Sequence, residues 1–151
     1  HLDLKPRNIL IKGERLAVCD FGISLLKQKD YGSETKGDYT LEKQTVWYRS
    51  PEVCREETPY SLADDLWSLA CILYEIATKE VLFETAKPFT QSQQITLIEH
   101  FFEGQKALKQ KKPFRSVFFD HYQIKKKEFC QNNPEAGSLY FDFIEKILDK
   151  N

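Results

Sequence analysis

Between positions 61 and 78 lie Leu62, Leu66, Trp67, Leu69, Ile72, Leu73 and Ile76, spread around most of a helical circumference rather than along one stripe. A helix apolar on so many sides has to be enclosed by other elements, so the segment predicts a central helix inside a packed domain. Ser61 and Asp64, three positions apart, supply the two halves of a capping box at its start. The chain's 151 residues are the length of one ordinary domain, long enough to bury a real core. At 41% hydrophobic and 30% charged it reads as globular rather than disordered.

The remaining elements follow from shorter patterns. Apolar stretches at 9–11 and 16–18 around Lys12-Gly13-Glu14 predict a β-hairpin. The polar segment 27–44, with Gly32 and Gly37, predicts a long loop. Ser92 is expected to open a second helix, with Ile95, Ile98, Phe101 and Phe102 on one face and a stop at Gly104. Ser138 is expected to open a third, packing through Tyr140, Phe143, Ile144, Ile147 and Leu148. One hairpin followed by helices predicts a mainly α domain.

Charge and cysteine usage narrow the function classes. A net charge of −1 and a pI near 6.4 give no global field directed at nucleic acid or a membrane surface, so neither is an expected partner. No apolar run approaches the roughly 20 residues that span a bilayer, and no signal peptide is visible. Cys19, Cys54, Cys71 and Cys130 form no C-x-x-C pair and are expected as free thiols in a reducing compartment. They show no metal-ligand spacing with His1, His100 or His121, so no zinc site is expected.

The densest chemistry stands at the start. His1-Leu2-Asp3-Leu4-Lys5-Pro6-Arg7-Asn8 places a carboxylate, an amine and a carboxamide in a loop just before the first strand. Asp20-Phe21-Gly22 follows directly after the second strand. A hairpin with Asn8 at one end and Asp20 at the other can offer both oxygens to one cation, and such hard ligands suit Mg²⁺. Further on come Thr45-Val46-Trp47-Tyr48-Arg49-Ser50-Pro51-Glu52 and Asp65-Leu66-Trp67-Ser68.

These segments, in this order, resemble the signature set of eukaryotic protein kinases: a catalytic loop, then D-F-G, the end of an activation segment, and the D-x-W-S start of a buried helix. The W-Y-R-x-P-E form is similar to the CMGC group. The resemblance covers essentially the whole chain and implies a partial kinase domain over 1–151, from the catalytic loop through the late helices of the large lobe. It implies a serine/threonine kinase using ATP and Mg²⁺ on protein substrates, located inside the cell in cytoplasm or nucleus. Asp3 would accept the proton of the substrate hydroxyl, Lys5 would neutralise charge on the transferred phosphoryl group, and Asn8 and Asp20 would hold Mg²⁺. Thr45 would hydrogen-bond Asp3 and Lys5, Arg49 would shape the pocket for the residue after the phosphoacceptor, and Asp65 would brace the loop near His1. Glu52 would pair with an Arg beyond the last residue and is otherwise expected as an unpaired buried carboxylate. Phe21 and Gly22 complete the D-F-G turn.

Within the group the likeness leans toward SR-protein kinases, which act on Arg/Ser-rich splicing factors, through Gln44-Thr45, Ala70-Cys71, the run from Tyr74 to Glu84 and Lys112-Pro113-Phe114. The chain departs from that pattern at Phe21, where Leu is usual, and at Pro51, typical of other branches. Thr90-Gln91-Ser92-Gln93-Gln94 stands where an acidic substrate-docking cluster is expected. Residues 105–127 carry eight Lys/Arg against Asp120 alone, which reads as a solvated loop. Leu2 replaces the Arg that reads a phosphate on the activation segment, so activity independent of loop phosphorylation is expected. The sequence begins at His1, inside a motif, and carries no Gly-rich loop, so the small lobe is expected to be absent from it and the chain alone to be inactive. The competing reading is a non-catalytic interaction module built from such a lobe. A metal-dependent phosphodiesterase on Asp3, Asn8 and Asp20 explains neither of the later segments.

Overall fold

The computed structural model describes residues 1–24, 46–55, 61–87 and 90–149. The expected loop 27–44 and Thr45 lie outside these residues. The first residues run into a 3₁₀ turn, Pro6–Asn8, and then into β1 (Ile9–Lys12) and β2 (Arg15–Val18). The strands pair antiparallel with Ile9 opposite Val18 and Lys12 opposite Arg15. That register leaves Gly13-Glu14 as a two-residue turn, with φ +59° at Gly13 and no positive φ at Glu14, the II′ pattern that calls for Gly first. The expected hairpin is present, and Leu10, Ile11 and Leu16 on it are more than half exposed.

The helices are α1 (Pro51–Cys54), α2 (Leu62–Thr78), α3 (Gln91–Lys109), α4 (Val117–Asn132) and α5 (Gly137–Leu148). In α2 the Ser61/Asp64 capping box forms as expected. The helix ends on Lys79 in the left-handed region (φ 63°), where Lys79 Nζ donates to the orphan Ile76 carbonyl. Its enclosure is less complete than the sequence predicts. Trp67, Ala70, Cys71, Ile72 and Tyr74 are buried, while Leu62, Leu66 and Ile76 are half exposed or more. Among the described residues, α4 and α5 cover one side of α2 and leave that stripe at the surface.

Helix α3, expected to open at Ser92, starts two positions earlier. Thr90, not Ser92, is the cap, and Gln93 returns the bond in a second capping box. Gly104 does not end α3 either. The ring of Phe119 lies across it, and a Cβ there would come within 2.4 Å of that ring, so the glycine makes room for α4. The stop is a Schellman motif: Lys111 N–H donates to the Leu108 carbonyl and Lys112 N–H to that of Ala107, with Lys111 at φ 54°.

Helix α4 replaces part of the expected solvated loop. Ser116 caps it, and Phe119 and Tyr122 are buried, which outweighs the lysines around them. Helix α5 begins at Gly137, without a side-chain cap, so Ser138 is inside its first turn. Its inward face is Gly137, Phe141, Ile144 and Leu148; Phe143 is 53% exposed, a rotation from the expected face.

The core is aromatic. Tyr122 stacks on Tyr74 at 5.7 Å and meets the edge of Phe101 at 5.0 Å. Trp67 stacks on Phe83 at 5.6 Å. Such pairs add to the burial of large apolar area. One polar node ties the layers: Glu145 Oε1 on α5 accepts from Gln105 of α3, and from Tyr122 and Lys126 of α4, at 3.0, 2.7 and 2.8 Å.

Candidate active site

The loop before β1 is held from a distance by α2. The carboxylate of Asp65 accepts the backbone nitrogen of His1 at 2.7 Å on one oxygen and that of Leu2 at 2.8 Å on the other. Asp65 sits in the first turn of α2, where the helix N-terminus favours a negative charge. Leu2 is held at φ 68°, a left-handed conformation that a side chain with Cβ adopts at some cost. His1 is fixed by its own ring. Nδ1 accepts the Asp3 N–H at 3.2 Å, so Nε2 carries the proton and donates to the Cys19 carbonyl at 3.0 Å. The ring also lies 4.8 Å from that of Phe21, and Ser24 Oγ donates to the His1 carbonyl.

This frame gathers Asp3, Lys5 and Asn8. Lys5 Nζ is 2.7 Å from Asp3 Oδ2, with both side chains largely covered. Asn8 is buried and its Nδ2 donates to the Asp3 carbonyl at 2.9 Å and to Asp3 Oδ2 at 3.3 Å. Pro6 starts the 3₁₀ turn that swings Asn8 back toward Asp3, and Lys5 before it is extended, as a residue preceding proline prefers. Both side-chain bonds of Asp3 fall on Oδ2, none on Oδ1, among the described residues.

The hairpin brings the second acid alongside. The Cys19 N–H donates to the Asn8 carbonyl at 2.9 Å, which sets Asp20 beside the start of β1. Asp20 is exposed at φ 64°, and a Cβ on Gly22 would touch its Oδ1 at 3.4 Å. With Asn8 Nδ2 committed to Asp3, its Oδ1 is the amide atom left to a cation, and Asp20 adds a carboxylate. This donor set fits Mg²⁺, which takes few protein oxygens and completes its shell with water and phosphate. Among the described residues no three His, Cys, Asp or Glu cluster as a metal site.

Residues 46–50 are clamped onto the helices. Ser68 Oγ donates to the Tyr48 carbonyl at 2.7 Å, and Gln94 Nε2 to the Trp47 carbonyl at 3.1 Å. Trp47 Nε1 reaches Thr85 Oγ1, and Ser50, the cap of α1, donates to Asp64. Tyr48 Oη donates to Glu75 Oε2 at 2.7 Å; burial first, and that bond next, hold its phenol well above the usual range and so protonated. Arg49 is buried. Glu52 is half-buried and has a partner, which corrects the expectation of an unpaired buried carboxylate. A 670 Å³ groove near Glu52, Trp67 and Phe143 contains none of Asp3, Lys5, Asn8 or Asp20.

The model of the protein kinase domain matches residues 1–151. The chain belongs to the protein kinase family. Relatives include cyclin-dependent kinase G-2 of Oryza sativa subsp. japonica, 43% identical over 97 residues covering 63% of this chain and 13% of that protein. Human mitogen-activated protein kinase 4 is 32% identical over 153 residues, 100% of this chain and 26% of its own length. A mitogen-activated protein kinase of Fusarium vanettenii is 34% identical over 163 residues, covering 100% and 42%. The chain thus spans 13% to 42% of the length of these relatives. They are CMGC-type kinases, a family that transfers phosphate from ATP, with Mg²⁺, to proteins.

In this kinase chain the structure brings Asp3, Lys5 and Asn8 together, sets Asp20 beside them and places Asp65 beneath. Arg49 and Glu52 sit apart, on the clamped segment. Ser68 stands in the D-x-W-S run, but the clamping contacts that it, Gln94 and Glu75 make carry no spacing signal, because each acts on a partner 20 to 47 positions away.

Proposed function

We propose that this chain is the large-lobe part of a CMGC serine/threonine kinase, spanning the catalytic loop through the late helices over 1–151, and that it contributes Asp3, Lys5, Asn8 and Asp20 to phosphoryl transfer. The observation that carries this reading is the Asp3–Lys5–Asn8 cluster, hung from Asp65 and joined to Asp20 through the hairpin.

Asp3 Oδ2 is held by Lys5 and Asn8, which leaves Oδ1 to accept the hydrogen bond of a substrate hydroxyl, orient it and take its proton. Lys5 Nζ stands where negative charge on the transferred phosphoryl oxygens is neutralised. Asn8 Oδ1 and Asp20 would hold Mg²⁺, which when bound neutralises the nucleotide phosphates. Thr45 is proposed to join Asp3 and Lys5, and Arg49 to shape the site for the residue after the phosphoacceptor. A lysine at position 5 is the feature that favours Ser/Thr over Tyr. In the intact enzyme, Asp3→Ala is expected to lower kcat by about 10² to 10⁴-fold, read as ³²P transfer to a protein substrate. A variant retaining wild-type rates would remove Asp3 from the reaction.

Two narrower readings belong to this proposal. Leu2 has no group to bind a phosphate, so the activity is expected to be indifferent to phosphatase treatment; phosphate-dependent activation sinks that point. The lean toward Arg/Ser-rich splicing factors is tested by comparing an Arg-Ser repeat peptide with a Ser-Pro peptide, and preference for the latter ends it.

A further inference from the structure

We propose that the end of α3 and the connection to α4 form a docking edge for an acidic peptide segment of a protein partner. Residues 105–116 hold five Lys/Arg and no acid, in a chain whose totals are 22 and 23. Lys106 and Lys109 lie in the last turn of α3 and complement its dipole. Lys111 and Lys112 follow in the turn that closes α3, and Arg115 lies next to the α4 cap Ser116, an end where the helix dipole does not favour a cation. All five are exposed, and among the described residues Lys109 alone has a carboxylate partner, Asp149 at 2.7 Å. The Schellman hydrogen bonds at Lys111 and Lys112 fix the turn, and Lys111 accepts a left-handed backbone to make it. The cations are therefore presented on a built corner. Beside them is a 380 Å³ depression lined by Phe102, Gln105, Lys106, Lys109, Gln110 and Asp149, apolar at Phe102 and basic at its rim.

Charge range selects the occupant. A long polyanion or an anionic bilayer also meets the rest of this chain, where acids outnumber Lys/Arg and the total for residues 1–151 comes to −1. A short acidic segment stays within the roughly 8 Å over which charge acts at physiological salt, and meets only the edge. No aromatic of residues 105–116 is exposed for base stacking; Phe114 is half-buried, edge-on to Phe119 at 6.0 Å. The occupant is thus a run of Asp or Glu with one apolar residue to enter the depression. This docking is independent of the phosphoryl-transfer reading.

The test is fluorescence anisotropy of the intact protein with a fluorescein-labelled oligoglutamate peptide carrying one central Phe. Saturable binding that weakens with added salt is expected. The triple variant Lys106→Glu/Lys112→Glu/Arg115→Glu should bind about tenfold more weakly or worse, with helical circular dichroism unchanged. The corresponding Gln variants should weaken it less, in the same direction, and Lys12→Glu on the hairpin should leave it alone. Three results overturn the proposal: no saturable binding, wild-type affinity in both triple variants, or tighter binding of a single-stranded oligonucleotide or phosphatidylserine vesicles than of the peptide.

Discussion

Asp65 uses both carboxylate oxygens on main-chain nitrogens of a loop more than sixty positions away, and no other described side chain touches those two nitrogens. Asp65→Ala is expected to destabilise by about 1–3 kcal/mol for each donor it strands, read as a lower urea midpoint, while Asp65→Asn keeps one acceptor and loses less. The thiols offer a second test at this scale. Cys54 and Cys71 are buried, and burial pushes the Cys54 thiol up to about 11, whereas Cys19 and Cys130 are part-exposed. Iodoacetamide at neutral pH should label Cys19 and Cys130 first, read by mass spectrometry; early labelling of Cys54 would contradict the packing of α1 on α3. Asp3, Lys5, Asn8 and Asp20 were legible because residue type and order alone mark them. The contacts of Ser68, Gln94 and Glu75 were not, even with Ser68 inside a signature run, since a side chain that meets a distant partner leaves no local pattern.

Among the elements, the hairpin and the start of α2 could be read directly, because a two-residue turn and a capping box are local chemistry. Gly104 misled for a physical reason: glycine marks a helix end when φ must be positive, but here it marks a close approach by Phe119. The same lysine-rich composition that suggested a loop hid α4, whose amphipathic face is built from two buried aromatics. These contacts predict opposite effects for two glycine exchanges. Gly104→Ala should destabilise by about 1–3 kcal/mol through overpacking against Phe119. Lys111→Gly should raise stability by up to about 1 kcal/mol by relieving the left-handed lysine. Thermal melts of the two variants, moving down and up respectively, check both.

At the scale of the whole molecule, α4 is joined to its neighbours by two acids. Glu145 gathers donors from α3 and α4 on one oxygen, so Glu145→Ala should cost about 2–3 kcal/mol and lower the melting temperature more than loss of the exposed Lys109–Asp149 pair. Glu80, just after α2, accepts from Lys125 and His121 of α4, and those bonds, Lys125 first, hold its carboxyl below the usual range. Because the folded value is depressed, this stabilisation is present above the ordinary carboxylate pKa and is lost as pH falls through the lower folded value. Glu80→Gln should therefore flatten part of the acid limb of a stability–pH profile and, because Glu80 also holds the Lys125 ammonium above its usual range, part of the far alkaline limb as well. The suspension of the loop from Asp65 also orders events in time. Its two bonds close a span of more than sixty residues, an entropic cost met only once α2 exists and has been brought to the hairpin. A refolding chain should accordingly show helix first and protection of the Leu2 amide from hydrogen exchange later, so that the loop carrying Asp3, Lys5 and Asn8 is among the last parts to be fixed.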